Sequence, residues 1–153
     1  MKYLFAILVL ISLSSCQKDE SENVILDYTD QNETEILNYI DANNLEAQKS
    51  TTGLYYVIQQ QGEGVHPTSN SDVTVKYKGF YTNGNIFDES DEMGITFNLQ
   101  QVIAGWTEGI TYFKEGGNGI LLIPSRLAYG SFDTRGIPGG SVLIFEIELI
   151  EIK

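Results

Sequence analysis

VKYKGFYTNGNIFD, residues Val75 to Asp88, is the stretch that decides the fold. Together with the DVT before it, it places Val73, Val75 and Tyr77 on one face and Lys76 and Lys78 on the other, the period-2 alternation of a half-buried strand. Asn83-Gly84 then signals a hairpin, because both residues tolerate positive φ, and Asn85 to Asp88 reads as a short return strand. The expectation is an antiparallel sheet whose Val73, Val75 and Tyr77 face looks into the core.

The pattern continues on both sides of this hairpin. GLYYVIQQ (Gly53 to Gln60) is rich in strand formers, and the QGEGVHPTSNS after it has loop composition. ITFNL (Ile95 to Leu99) alternates again. In VIAGWTEGITYF the period changes, and Ile103, Trp106, Ile110 and Phe113 fall on one helical stripe. Gly105 and Gly109 each weaken that helix by about 1 kcal/mol relative to alanine, so packing of the stripe has to hold it. Gly116-Gly117-Asn118 turns the chain into GILLIP, and SVLIFEIELIEI closes the domain with Leu143, Phe145, Ile147 and Leu149 on one side. These elements predict an α+β domain over residues 53–153, a curved antiparallel sheet wrapped around one short α-helix.

Residues 30–52 read as an N-terminal helical extension. Asp30 and Glu33 have capping-box spacing, and Ile36, Leu37, Ile40 and Leu45 form an apolar side that ends near Asn43 and Asn44. Packing on the chain's own domain is the simplest use of that side.

The first fifteen residues read as an address. Lys2 precedes an apolar run, Tyr3 to Leu13, of signal-peptide length and too short to span a bilayer comfortably. LSSC (Leu13 to Cys16) follows and resembles the bacterial lipobox, which implies lipidation of Cys16, the chain's one cysteine. Residues 16–29 then form an acidic tether, with Val24, Ile25 and Leu26 as its apolar cluster. The expected location is the cell envelope, with the chain anchored by lipid to a bacterial membrane.

Composition narrows the chemistry. The formal net charge is −12, and 9 of 21 acidic residues fall between Gln17 and Thr51, so a nucleic-acid partner is not expected. One cysteine excludes an intramolecular disulfide or a cysteine-ligated metal cluster. His66, the single histidine, sits before Pro67 in a Gly-rich loop and reads as a solvated side chain, not a triad base.

Four strings, VKYKGFYTNGNIFD, QVIAGW, LAYG and GIPGGSVLIFEIEL, resemble in order and spacing the FKBP-type peptidyl-prolyl isomerases. The likeness covers about residues 53–153. It implies a site made of Tyr77, Phe87 and Asp88 from the first hairpin and Val102, Ile103 and Trp106 at the start of the internal helix. In that site the tryptophan is the floor and the Ile103 backbone N–H binds a substrate carbonyl. The same likeness assigns Tyr129 the hydroxyl that reaches the ligand, and Ile137 and Phe145 an apolar wall. The chain departs from the family in three places. Ile95 stands where an aromatic residue is common, so one wall is expected to be less aromatic. Gln101 stands where well-known members have an acid. Glu89, Asp91 and Glu92 follow Asp88 with no basic partner among them, leaving Arg126 or Arg135 as substitutes.

Such a site needs no nucleophile, metal or cofactor. Rotation about a peptide bond costs about 18–20 kcal/mol because it sacrifices amide resonance, and prolyl isomers exchange over tens of seconds or more. A dry ring-lined pocket strips water from the more polar planar amide and so favours the twisted form, while donors aimed at the rotated carbonyl add preference for the transition state. The expected partners are proline-containing segments of exported or surface proteins. Two other readings fit the residues: a lipid-anchored module that binds proline segments with little turnover, and a structural envelope lipoprotein with a closed pocket.

Overall fold

The computed structural model describes residues 26–153. The predicted signal peptide, Cys16 and most of the acidic tether lie outside the described residues. In chain order the regular elements are α1 (Thr29–Ala42), β1 (Gln48–Lys49), β2 (Tyr55–Gln60), β3 (Asp72–Phe80), β4 (Ile86–Glu89), β5 (Ile95–Asn98), α2 (Ala104–Gly109), β6 (Asn118–Ile123) and β7 (Leu143–Ile152). The strands form one sheet in the order β1-β2-β6-β7-β3-β4, and every pairing is antiparallel. β4 and β5 share one edge of β3: β5 pairs with Asp72 to Val75 and β4 with Lys78 to Phe80.

Both faces of the sheet are covered, and strand alternation separates two cores. Leu121, Ile123, Leu143, Phe145 and Ile147 point to the concave face with Val73, Val75, Trp106, Ile110 and Phe113. Ile120, Leu122 and Ile144 point the other way, with Tyr55, Val57 and Ile36 of α1. Two-sided burial is why GILLIP is uniformly apolar while the later part of β7 alternates with glutamates.

α2 is a six-residue helix, just under two turns, continued by 3₁₀ geometry at Ile110–Tyr112. Its glycines have a packing reason. A Cβ on Gly105 would sit 2.5 Å from Ile123 Cγ2, and one on Gly109 would sit 2.6 Å from Leu121 Cδ1. The helix therefore gives up about 1 kcal/mol of propensity at each glycine and gains backbone contact with β6, which seats Trp106 against the concave core.

α1 packs on its own domain, as its apolar side predicts, but differently in detail. Ile36 is fully buried, a contribution of about 1.5–3 kcal/mol from apolar burial, whereas Leu37 is exposed. The Asp30/Glu33 capping box does not form. The helix starts at Thr29, with Tyr28 and not Asp30 at the N-cap; Asp27 Oδ1 accepts the Thr29 N–H, and Glu33 instead accepts from Lys49 Nζ at 2.6 Å and the Tyr55 hydroxyl at 2.5 Å. Segment 30–52 also holds more than a helix, because the chain reverses at Asn44 (φ +52°) and adds β1 to the sheet.

The β3–β4 turn also corrects the expectation. Only Gly84 has positive φ (+85°); Asn83 does not. Gly84 N–H donates to the Tyr81 carbonyl and Tyr81 N–H to the Asn85 carbonyl, which makes a three-residue loop with glycine in its left-handed position. The register then skips from the Gly79–Asp88 pair to the Phe80–Ile86 pair, leaving Phe87 as the extra residue of a bulge.

Candidate active site

The concave face, α2 and the loop between β6 and β7 enclose a hollow of about 580 Å³, within the roughly 300–1,000 Å³ range of small-ligand sites. Trp106 is its floor, with 5% of its surface exposed. Three rings surround the indole, Tyr77 at 4.9 Å, Phe145 at 5.0 Å and Phe97 at 5.2 Å between centroids. Phe87 stands edge-on to Phe145 at 5.5 Å. Edge-to-face pairs of this kind are worth about 0.5–1.5 kcal/mol each beyond burial, so the rings hold one another in place. The Trp106 indole N–H has no hydrogen-bond partner among the described residues, a buried donor left unpaired at a cost of about 1–3 kcal/mol.

Eight of the nine residues implied by the resemblance line this hollow: Tyr77, Phe87, Asp88, Val102, Ile103, Trp106, Tyr129 and Phe145. Ile137 is the exception. It is buried (8% exposed) in the core cluster that also holds Trp106 and Phe145; its backbone pairs with Thr134 in a tight turn whose residues Thr134 and Arg135 line the hollow in its place.

Ile95 is on the lining, as the departure from the family pattern anticipates, yet the wall is not poor in rings. Phe97, two residues on and so on the same face of β5, completes it. Alternation in ITFNL was the signal for this residue. Gly79 is a second unforeseen contributor. A Cβ there would lie 2.7 Å from Phe87 Cζ and 2.8 Å from Phe145 Cε1. A glycine inside a strand pattern marks such a close approach.

Local structure aims the polar groups. Asn98 caps the 3₁₀ turn Leu99–Gln101 by accepting from Gln100 N–H at 2.9 Å, and the Thr107 hydroxyl donates to the Leu99 carbonyl at 2.6 Å. Ile103 thereby becomes the N-cap of α2 in extended conformation (φ −61°, ψ 149°). Its carbonyl accepts from Trp106 and Thr107, while its N–H has no partner among the described residues. The Tyr129 hydroxyl likewise has none, whereas the Tyr77 hydroxyl donates to Asp88 Oδ2 at 2.7 Å. Burial, reinforced by this bond to the carboxylate, pushes the Tyr77 phenol well above its ordinary value. It stays a neutral donor at physiological pH.

The two arginines divide. Arg135 lines the hollow, while Arg126 runs past Gly53, where its charge acts on Glu33 and Glu108. Asp88 takes the Tyr77 hydroxyl as partner, and Glu92 pairs with Lys76. His66 is not solvated on all sides. Its Nδ1 lies 3.0 Å from the Thr111 carbonyl and 3.1 Å from that of Phe113, clipping the loop to the end of the helix. It does not reach the hollow.

Among the described residues no cluster of three or more histidine, cysteine or acidic side chains could hold a metal. The walls, with charge confined to Asp88 and Arg135, can take up a small apolar ring and offer donors to a carbonyl beside it.

Comparison with known proteins agrees with this geometry. Residues 63–150 match the family model described as FKBP-type peptidyl-prolyl cis-trans isomerase. FkpA of Buchnera aphidicola subsp. Baizongia pistaciae is 46% identical over 110 residues, 71% of this chain and 44% of that protein. FkpA of Escherichia coli K12 is 43% identical over 106 residues, 68% of this chain and 39% of that protein. The chain thus spans less than half the length of these curated relatives. The crystal structure of E. coli FkpA superposes with a TM-score of 0.74 at 36% identity, covering 83% of this chain and 61% of that one. A Pseudomonas syringae peptidyl-prolyl cis-trans isomerase gives 0.70 at 30% identity, covering 82% and 96%. With its sheet, its ring-lined hollow and the match over residues 63–150 in agreement, the chain belongs to the FKBP-type peptidyl-prolyl cis-trans isomerase family.

Proposed function

We propose that the protein catalyses cis/trans isomerisation of X-Pro bonds in exported or surface proteins while held at a membrane by lipid on Cys16. The observation that carries the catalytic reading is the pairing of an aromatic lining with donors beside it: Trp106 is the floor, Phe87 and Phe145 line the sides, and the Ile103 N–H and Tyr129 hydroxyl have no partner among the described residues. A proline ring on the indole brings its imide into a water-poor space, where the planar, more polar amide loses solvation and the twisted form loses less. The Ile103 N–H would fix a carbonyl of the captured segment, and Tyr129 would donate to a neighbouring one. Each 1.4 kcal/mol or so of preference for the twisted imide gives about a factor of ten in rate.

The anchor reading is supported by LSSC ending at the chain's one cysteine and by the acidic stretch behind it. Two acyl chains suffice for stable anchoring, at roughly 0.8 kcal/mol per buried methylene.

Two measurements test these readings. The soluble domain should accelerate isomerisation of a short X-Pro peptide; binding of that peptide without acceleration would reject the enzyme in favour of a proline-binding module. The full chain expressed in a Gram-negative host should partition into detergent with its membranes, and Cys16→Ser should release it; unchanged partitioning would reject the lipid anchor.

A further inference from the structure

We infer that Asn32 is a positioning residue for the pocket, and that the N-terminal segment from Leu26 to Asn32 braces the loop carrying Tyr129 and Arg135. The observation is a convergence. Asn32 is 1% exposed, a buried polar side chain in the first turns of a helix. Its Nδ2 donates to the Gly140 carbonyl at 2.7 Å and its Oδ1 accepts the Ser125 N–H at 2.8 Å. These two backbone groups stand at the opposite ends of the loop that leaves β6 and enters β7. A single planar amide thus sets the spacing of the loop's two feet, and both of its hydrogen-bonding ends are used.

Two further contacts from the same segment reach the same loop. The Ser131 hydroxyl donates to the Leu26 carbonyl at 2.6 Å. The Tyr28 ring lies so close over Gly140 that a Cβ there would be 2.4 Å from Tyr28 Cε1, and Gly140 has φ +78°. Between the feet, the Gly130 N–H donates to the Ser125 carbonyl and the Gly140 N–H to the Gly130 carbonyl. The brace therefore connects through Ser125, Gly130 and Gly140 to Tyr129, which lines the hollow from a loop, not from the sheet.

Trp106, Phe145 and Tyr77 are placed by regular elements, and the braced loop touches their cluster through Ile137. Removing Asn32 should therefore loosen one wall and leave the floor. Buried polar groups left unpaired also destabilise the fold, so the control must lose stability without losing the brace. Ile36 serves, because it belongs to the same helix but packs on the far core.

The experiment compares Asn32→Ala with whichever of Ile36→Val and Ile36→Ala matches its drop in Tm. Amide hydrogen exchange at Gly130 and Gly140 should rise at least about tenfold in Asn32→Ala over the matched control. The KM for an X-Pro peptide should rise about tenfold, with kcat within about twofold. Equal exchange and equal KM in the two variants would overturn the inference. If Asn32→Ala does not fold, Tyr28→Ala and Ser131→Ala remove the other two contacts without a buried orphan, and unchanged exchange at Gly130 and Gly140 in both would overturn it equally. The kinetic part rests on the isomerase reading, while hydrogen exchange does not. Wild-type protein without turnover would remove that reading and leave the brace to be decided by exchange alone.

Discussion

The Tyr77 hydroxyl donates to Asp88 Oδ2 at 2.7 Å, one residue from β3 and one from β4, at the lip of the hollow. The bond ties the rim of the hairpin to a ring that also packs against Trp106 and Phe145. Asp88→Asn keeps an acceptor for the hydroxyl and removes the charge, whereas Asp88→Leu removes both. With hydrogen bonds to charged groups worth about 1.5–3 kcal/mol when shielded and less when exposed, the expected losses in kcat/KM are about threefold for Asp88→Asn and about tenfold for Asp88→Leu. Equal losses would show that the charge, not the bond, matters.

Ring replacements should separate the floor from the periphery. Trp106→Leu and Phe145→Leu remove pocket surface and are expected to lower kcat/KM for an X-Pro peptide at least about tenfold. His66→Ala removes only the clip to the Thr111 and Phe113 carbonyls. It should cost about 1 kcal/mol of stability and leave kcat/KM within about twofold. Comparable activity losses in all three would remove the assigned site.

Gly79→Ala tests the close approach behind the rings. The added methyl would meet Phe87 and Phe145 at 2.7–2.8 Å, and overpacking of this kind costs about 1–3 kcal/mol. Relief requires both rings to swing into the hollow. The variant should stay folded in a denaturant melt yet bind an X-Pro peptide more weakly, followed through the fluorescence of Trp106, the chain's single tryptophan. Full binding at reduced stability would place the strain elsewhere.

Alkaline titration has a definite sign. Burial, then the hydrogen bond to Glu108, pushes the Tyr112 phenol up to about 12 from 10.0, and Tyr77 is raised in the same direction. The fold disfavours both phenolates. Their contribution to stability is therefore complete below about pH 10 and falls as pH rises through 10 toward 12, where the unfolded chain ionises first. Tm should decline over that window, and Tyr112→Phe should flatten the decline while leaving part of it to Tyr77. A Tm independent of pH above 10 would contradict this.

The sheet, its buried faces and the internal helix were legible because period and turn chemistry are local properties. Val73, Val75 and Tyr77 alternate whatever surrounds them, and Ile110 and Phe113 recur at helical spacing with Trp106. That eight of the expected residues would share one hollow was legible because the ordered strings resemble a family in which those positions are assigned to a common pocket. What the linear pattern does not carry is the third dimension of close contacts. Gly105 and Gly109 read as propensity penalties until Ile123 and Leu121 are seen against them, and the packing role of Gly79 shows only where Phe87 and Phe145 close over it. Ile137 and Phe97 exchanged roles for a related reason: which side of a turn faces the hollow depends on backbone pairing at Thr134, and Phe97 enters because β5 shares the edge of β3 with β4. The buried amide of Asn32 reads from the sequence as one polar residue on a helix. Only the folded chain brings the Ser125 N–H and the Gly140 carbonyl, 93 and 108 residues away, to its two ends, because a buried donor and acceptor must find partners and the tertiary structure decides which are within reach.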